Sequence, residues 1–372
     1  MDRAGRPVRR RLWIAAALLL GSTVAIRALL PDGRAARVER HAECHDPSAM
    51  PPVETLADGR KAVRLRVLLW NVEGLPWPIR SGREARLAAI ADWIAKRRRA
   101  GLGPDILILH KAFTPTASRI AIAAGYGSIL PGPALDQARS RPPALPPAGY
   151  GDGARWWKGE GIGKWLDGGL YIATDLPVTT DGSEAFGADS CAGYDCLSNK
   201  GGMIAAARIP GAPEPLYLFN THRNSREPAK VGIARAETAH QLQTRENDAF
   251  LATVPTKAAM IAAGDFNNYR AGDKSGRFAD DPAFRLVGKG RGFGARPAPM
   301  TDRAAWTGAY DLVGYRSGGE LRVEPLAVAT LFDGKNGSRL SDHDAQYIVF
   351  RLSWRGDAPP VPVSLPRCPN RK

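Results

Sequence analysis

The chain is short of acid. Its 372 residues carry 37 Asp and Glu against 52 Lys and Arg, a formal charge of +15. That imbalance implies affinity for polyanions or anionic surfaces and says nothing about fold. Much of the excess sits in local runs, Arg9–Arg11, Lys96–Arg99 and the last residues, so charge alone does not specify a nucleic-acid partner. No internal repeat is apparent, and there are only four cysteines and six histidines. A hydrophobic content of 44% is ordinary for a globular protein and excludes disorder throughout.

A long apolar run is also missing. Leu12 to Ile26 is uncharged but short for a bilayer, and continuing through Arg27 to Leu30 only approaches the lower limit. Arg3, Arg6, Arg9, Arg10 and Arg11 precede it, the layout of a secretory signal or uncleaved anchor over residues 1–30. No clean Ala-x-Ala cleavage site follows, which favours the anchor. The positive flank stays cytoplasmic, so the remainder is expected to be exported.

In an oxidising compartment the cysteines become interpretable. Cys191 and Cys196 bracket four residues and can close a small loop, while Cys44 and Cys368 can staple the ends of the mature region. Four cysteines allow three pairings, and spacing does not choose among them.

Residues 31–60 hold Pro, Ala, Arg and Asp without a sustained period and read as a linker. Residues 61–355 read as one folded domain, followed by a tail over 356–372. Val63, Leu65, Val67 and Leu69 alternate with arginines, a strand that delivers Asn71 at its end. Glu84 to Arg99 places Leu87, Ile90, Ala91 and Ile94 on one helical face. Further strands are expected at 105–109, 169–173, 203–208, 216–220, 258–263 and 346–352, with a helix over 228–251. Residues 131–166 are rich in Pro and Gly and carry Trp156, Trp157 and Trp165. Such an order suggests an α/β fold with two sheets packed face to face and helices outside.

Several strand ends carry chemistry. In Gly264-Asp-Phe-Asn267, Asp265 and Asn267 are two apart and share a side of the strand end. Asp265 can take a proton from water while Asn267 orients that water or a phosphate oxygen. Ser341-Asp342-His343 offers an oxygen ligand for Mg²⁺ and a proton-transfer group. Asn220-Thr-His222 ends another strand and supplies a donor for phosphoryl oxygens.

With these pieces and Asn71-Val-Glu-Gly in place, the chain resembles the endonuclease/exonuclease/phosphatase superfamily, from about Leu65 to Leu352. Cys191-Ala-Gly-Tyr-Asp-Cys-Leu-Ser-Asn-Lys-Gly201 and Pro104 to Thr114 point to its sphingomyelinase-like bacterial phosphodiesterases. The resemblance implies a four-layer α/β sandwich of the DNase I type. It also implies Mg²⁺ or Mn²⁺ dependence and phosphodiester hydrolysis by an organised water. By position, Asn71 and Asp342 match metal-site residues, Asp265 and Asn267 the water-activating pair, and His222 and His343 the phosphate-handling histidines. Asp311 matches the residue that orients His343.

One residue departs. Where the family's Leu-Gln-Glu strand end places a metal-binding glutamate, this chain reads Leu109-His110-Lys111. The change shifts local charge by about two units, each worth about 4 kcal/mol at roughly 4 Å and an effective dielectric near 20. Glu73 is the residue expected to replace the lost oxygen, unless Lys111 swings outward. Alternatively Lys111 pairs with Asp265 or Asp342, where the metal would sit. His110 suits a softer ion better than Mg²⁺.

Three readings follow: an exported monomeric phosphodiesterase acting on a phospholipid or similar ester, a nuclease of the same fold, and a relative that binds phosphate without cutting it. Exposed aromatic residues in 131–166 would favour a membrane surface, and a basic groove would favour nucleic acid. Packing of those tryptophans onto the sandwich is the expectation.

Overall fold

Alternation along Lys61–Gly74 organises the protein. Val63, Leu65, Val67 and Leu69 are buried on one face and Leu68, Trp70 and Val72 on the other, each set in its own core cluster. A one-residue slip would swing Arg64 and Arg66 toward the core, so register is strongly specified. The computed structural model describes residues 37–267, 285–287, 311–335, 337–360, 362–363 and 365–368. The expected leader lies outside the described residues.

Along the chain run β1 (Glu54–Thr55), β2 (Lys61–Gly74), β3 (Ile106–Ala112), β4 (Ser128–Pro131), β5 (Tyr171–Thr174) and β6 (Val178–Ala185). They are followed by β7 (Gly201–Ala207), β8 (Leu216–His222), β9 (Ala259–Asp265), β10 (Arg285–Val287), β11 (Asp311–Arg316), β12 (Arg322–Leu331) and β13 (Ala345–Trp354). The helices are α1 (Glu84–Arg99), α2 (Pro115–Ser118), α3 (Ile120–Ala123) and α4 (Ile233–Leu251).

One sheet has the order β12-β13-β2-β3-β5-β4, with β1 paired to β2, and the other β10-β11-β9-β8-β7-β6. Leu65, Ile108, Ile172, Leu218, Ile261 and Ile348 belong to the core between them. Leu87, Ile90 and Ile94 of α1 pack on Leu68, Trp70 and Leu109 outside the first sheet. Phe250 and Leu251 of α4 pack on Phe219, Met260 and Leu312 outside the second. The result is the four-layer α/β sandwich.

Two pairs are parallel, β2 with β3 and β8 with β9. A parallel pair needs a long crossover, supplied by α1 and α4 respectively. The crossovers place the C-terminal ends of all four strands on one rim. Antiparallel β11 begins there, with Asp311 opposite Asp265.

The stretch expected to be a tether is attached from residue 37 onward. Arg40 bridges to Ile129, β1 pairs with β2, and His45 bridges to Arg367. Disulfides Cys44–Cys368 and Cys191–Cys196 form, leaving no free thiol. Among the described residues no helix is long and apolar enough to cross a membrane.

Candidate active site

Strand register assembles the rim. Asn71 of β2 lies beside His110 of β3, and His222 of β8 beside Asp265 of β9. Polar side chains buried at these ends must find partners, and they find them across the sheets. Asn71 Nδ2 donates to Asp265 Oδ2 at 3.0 Å. His110 Nε2 and Asn220 Oδ1 are 2.6 Å apart.

Asp311 lies between two imidazoles. Its Oδ2 is 2.5 Å from His343 Nδ1, and its Oδ1 3.5 Å from His110 Nδ1. His343 Nε2 in turn lies 4.0 Å from Asp265 Oδ2. The segment before β13 is fixed by Ser341 Oγ, which donates to Asn71 O at 2.6 Å, and by Trp70 Nε1, which donates to His343 O at 3.1 Å. Asn267 takes a left-handed φ of 49°, and its Nδ2 donates to Arg223 O at 3.0 Å. Its backbone N–H donates to Asp265 Oδ1 at 3.3 Å.

His222 Nε2 is 3.4 Å from Asp265 Oδ2 and 3.3 Å from Lys200 Nζ. Lys200 is itself buried, 2.8 Å from Asp195 Oδ1.

The two histidines are driven apart electrically. Burial, then the charges of Lys200 and Lys111, hold His222 well below the usual imidazole value, so it is neutral at pH 7. Burial also opposes protonation of His343, but Asp311 and then Asp265 outweigh it and push His343 up to about 9. Asp311 is held low despite its burial, by the charge and hydrogen bond of His343 and by His110 beside it. The rim therefore holds a neutral imidazole, an imidazolium and a buried carboxylate, groups suited to accepting and donating protons around an anion.

The metal residues expected from sequence are arranged otherwise. Glu73 is held by Arg80 Nε at 2.8 Å and Arg83 Nη1 at 3.3 Å. Both of its oxygens face guanidinium groups. Asn71 turns its amide nitrogen to Asp265. Asp342 faces Lys111, whose Nζ is 3.8 Å from Oδ2. Lys111 does not swing out of the site.

Among the described residues, Asp265, Asp311 and His343 are the one group whose ligand atoms come within 4.8 Å of each other and can hold a metal. That trio includes an imidazole already bonded to Asp311, so an ion there would displace a proton held to about pH 9. Mg²⁺ asks for near-octahedral oxygen ligation. The residues present do not fit it.

Lys200 and Asp195 join the site without a catalytic or ligand pattern of their own in the sequence. Only the Ser-Asn-Lys-Gly piece of the resemblance signalled Lys200.

No family model matches the chain, and no curated protein matches it in sequence. Solved structures do match it. Beta toxin from Staphylococcus aureus is 16% identical, with 76% of this chain and 99% of that one covered at a TM-score of 0.50. The chain has a DNase I-like fold. Sphingomyelinase C from Streptomyces griseocarneus shares 19% identity over 77% and 99% of the two chains, with a TM-score of 0.49. An endonuclease/exonuclease/phosphatase from Beutenbergia cavernae shares 17% over 78% and 72%, at 0.46. In this DNase I-like sandwich the polar rim lies at one edge of both sheets.

Proposed function

We propose that the chain is an exported phosphodiester hydrolase whose substrate is a phospholipid or similar ester at a membrane surface. One observation carries this reading. Asp265 Oδ2 stands 3.0 Å from Asn71, 3.4 Å from His222 and 4.0 Å from His343, itself bonded to Asp311.

A phosphoryl group at this rim would meet His222 and His343 as hydrogen-bonding partners. Asp265, with Asn267 beside it, takes the proton of an attacking water as its oxygen bonds to phosphorus. His343, kept protonated by Asp311, gives its proton to the departing oxygen as the phosphorus–oxygen bond breaks. Proton transfer of this kind contributes about 10²–10⁴-fold to a rate.

Two further observations support the setting. Paired cysteines suit an oxidising, extracytoplasmic compartment. Trp156 and Trp157 are 55% and 57% exposed, where packing onto the sandwich was expected. Exposed indoles favour a lipid interface over a nucleic-acid groove. Domain limits at 61–355 remain part of the proposal, as does action as a monomer.

The test is hydrolysis of bis-p-nitrophenyl phosphate and of sphingomyelin by the native chain and by Asp265→Ala. Cleavage that the variant loses supports the reading. Equal rates, or none from the native chain, would sink it.

A further inference from the structure

The rim and the divalent cation implied by the resemblance disagree, and they disagree at Lys111. This residue, the penultimate one of β3, has a left-handed φ of 52°. Its side chain is 17% exposed, and its ammonium lies 3.8 Å from Asp342 Oδ2, a carboxylate left 40% exposed. Asp342 directly precedes His343, and the imidazoles of His343 and His222 both face Asp265 Oδ2, at 4.0 and 3.4 Å.

Charge bookkeeping explains how the site can work with a lysine there. A dication with one carboxylate ligand contributes a net +1, and one ammonium contributes the same. Replacing a glutamate with Lys111 therefore keeps the field that an anionic substrate meets, provided that the dication is gone. A lysine plus a dication would instead total +3 and repel each other. Glu73, at the neighbouring end of β2, is already held by Arg80 and Arg83 and does not offset that repulsion.

We propose that Lys111 is a built-in cation. Its ammonium, together with His222 and His343, binds the oxygens of a phosphate ester or free phosphate with no divalent ion at that position. The loose contact with Asp342 is given up when phosphate arrives, because phosphate carries charge and accepts several hydrogen bonds at once. The inference rests on reading the rim as a phosphodiester site, and it concerns binding, which is measured separately from cleavage.

Calorimetric titration of the full chain with inorganic phosphate tests it, first in EDTA and then in MgCl₂. Affinity should agree within about twofold between the two, and Lys111→Met should weaken it by about tenfold or more. Lys111→Arg, which keeps the charge, should stay within a few-fold of native and controls for misfolding. Lys111→Glu should acquire Mn²⁺ binding, visible by electron paramagnetic resonance, where the native chain shows none.

Phosphate binding abolished by EDTA and restored by Mg²⁺ would overturn the inference, as would unchanged affinity in Lys111→Met. Metal-free, Lys111-dependent binding without ester cleavage would defeat the hydrolase reading and leave this one standing. Cleavage that requires Mg²⁺ would do the reverse.

Discussion

Asp311 is shared between the imidazoles of His343 and His110, and the pair it forms with His343 makes a pH-dependent contribution to stability. The folded value of His343 is raised to about 9 from an ordinary value near 6.5. A raised value means that the contribution is complete below about pH 6.5 and is lost as pH climbs through 9. It is on the order of 3 kcal/mol at most, from the size of the shift. Urea denaturation of native protein and His343→Gln should give a difference that shrinks between those limits. A constant difference across them would refute the pairing. Asp311→Asn should also slow ester cleavage by about a hundredfold or more, since it releases the proton that His343 donates. Which residues were legible in advance follows from strand geometry. Asn220 and His222 are two apart on β8, so period two alone places them on one side. Asn267, in contrast, lies beyond β9 in a left-handed turn and is tied back by its N–H bond to Asp265. The contact between His110 and Asn220 depends on how two sheets face each other, which no local pattern encodes. The ion pairs of Glu73 are hidden from the sequence for a related reason. The loop after β2 returns Arg80 and Arg83 onto it, and short-range spacing gives no sign of that turn.

At the scale of elements, the irregular segment before β5 is more ordered than its composition suggests. Glu160 accepts from the Gly193 N–H at 2.8 Å and pairs with Arg235 at 2.7 Å. Trp165 and Leu166 donate their N–H groups to Leu197 O. Anchored in this way, the turn carrying Trp156 and Trp157 is joined to the loop that leads to Lys200. Lys158 lies over the ring of Tyr194, itself exposed, and adds positive charge to the same patch. Double replacement Trp156→Ser with Trp157→Ser should reduce co-sedimentation with anionic phospholipid vesicles by about tenfold and leave hydrolysis of a soluble ester unchanged. Undiminished vesicle binding would remove the membrane surface from the functional reading. Strands hidden from sequence inspection are edge or near-edge ones. β6 is largely polar and ends its sheet. β12 carries Pro325 at an irregularity in its pairing, a residue tolerated on an edge and absent from central strands. The helix expected from residue 228 starts at Ile233, after Lys230 adopts a φ of 58° that breaks helical geometry.

For the molecule as a whole, the two ends of the described chain meet on the side of the first sheet. His45 N donates to Pro366 O and Cys368 N to His45 O, both at 2.9 Å. The Cys44–Cys368 bridge then joins residues separated by 324 positions, whereas Cys191–Cys196 spans 5. If crosslinks act chiefly by restricting the unfolded chain, the long one should contribute about 6 kcal/mol and the short one about 2 kcal/mol. The long bridge lies outside the rim residues, so its loss should affect stability and not chemistry. The short bridge encloses Asp195, which holds Lys200 beside His222, so its loss should affect both. Urea midpoints and ester hydrolysis of Cys44→Ser and Cys191→Ser separate these effects. Cys44→Ser should show the larger drop in unfolding free energy with native turnover, and Cys191→Ser the smaller drop with reduced turnover. The reverse order of stabilities would mean that local packing, rather than chain entropy, governs what these crosslinks contribute.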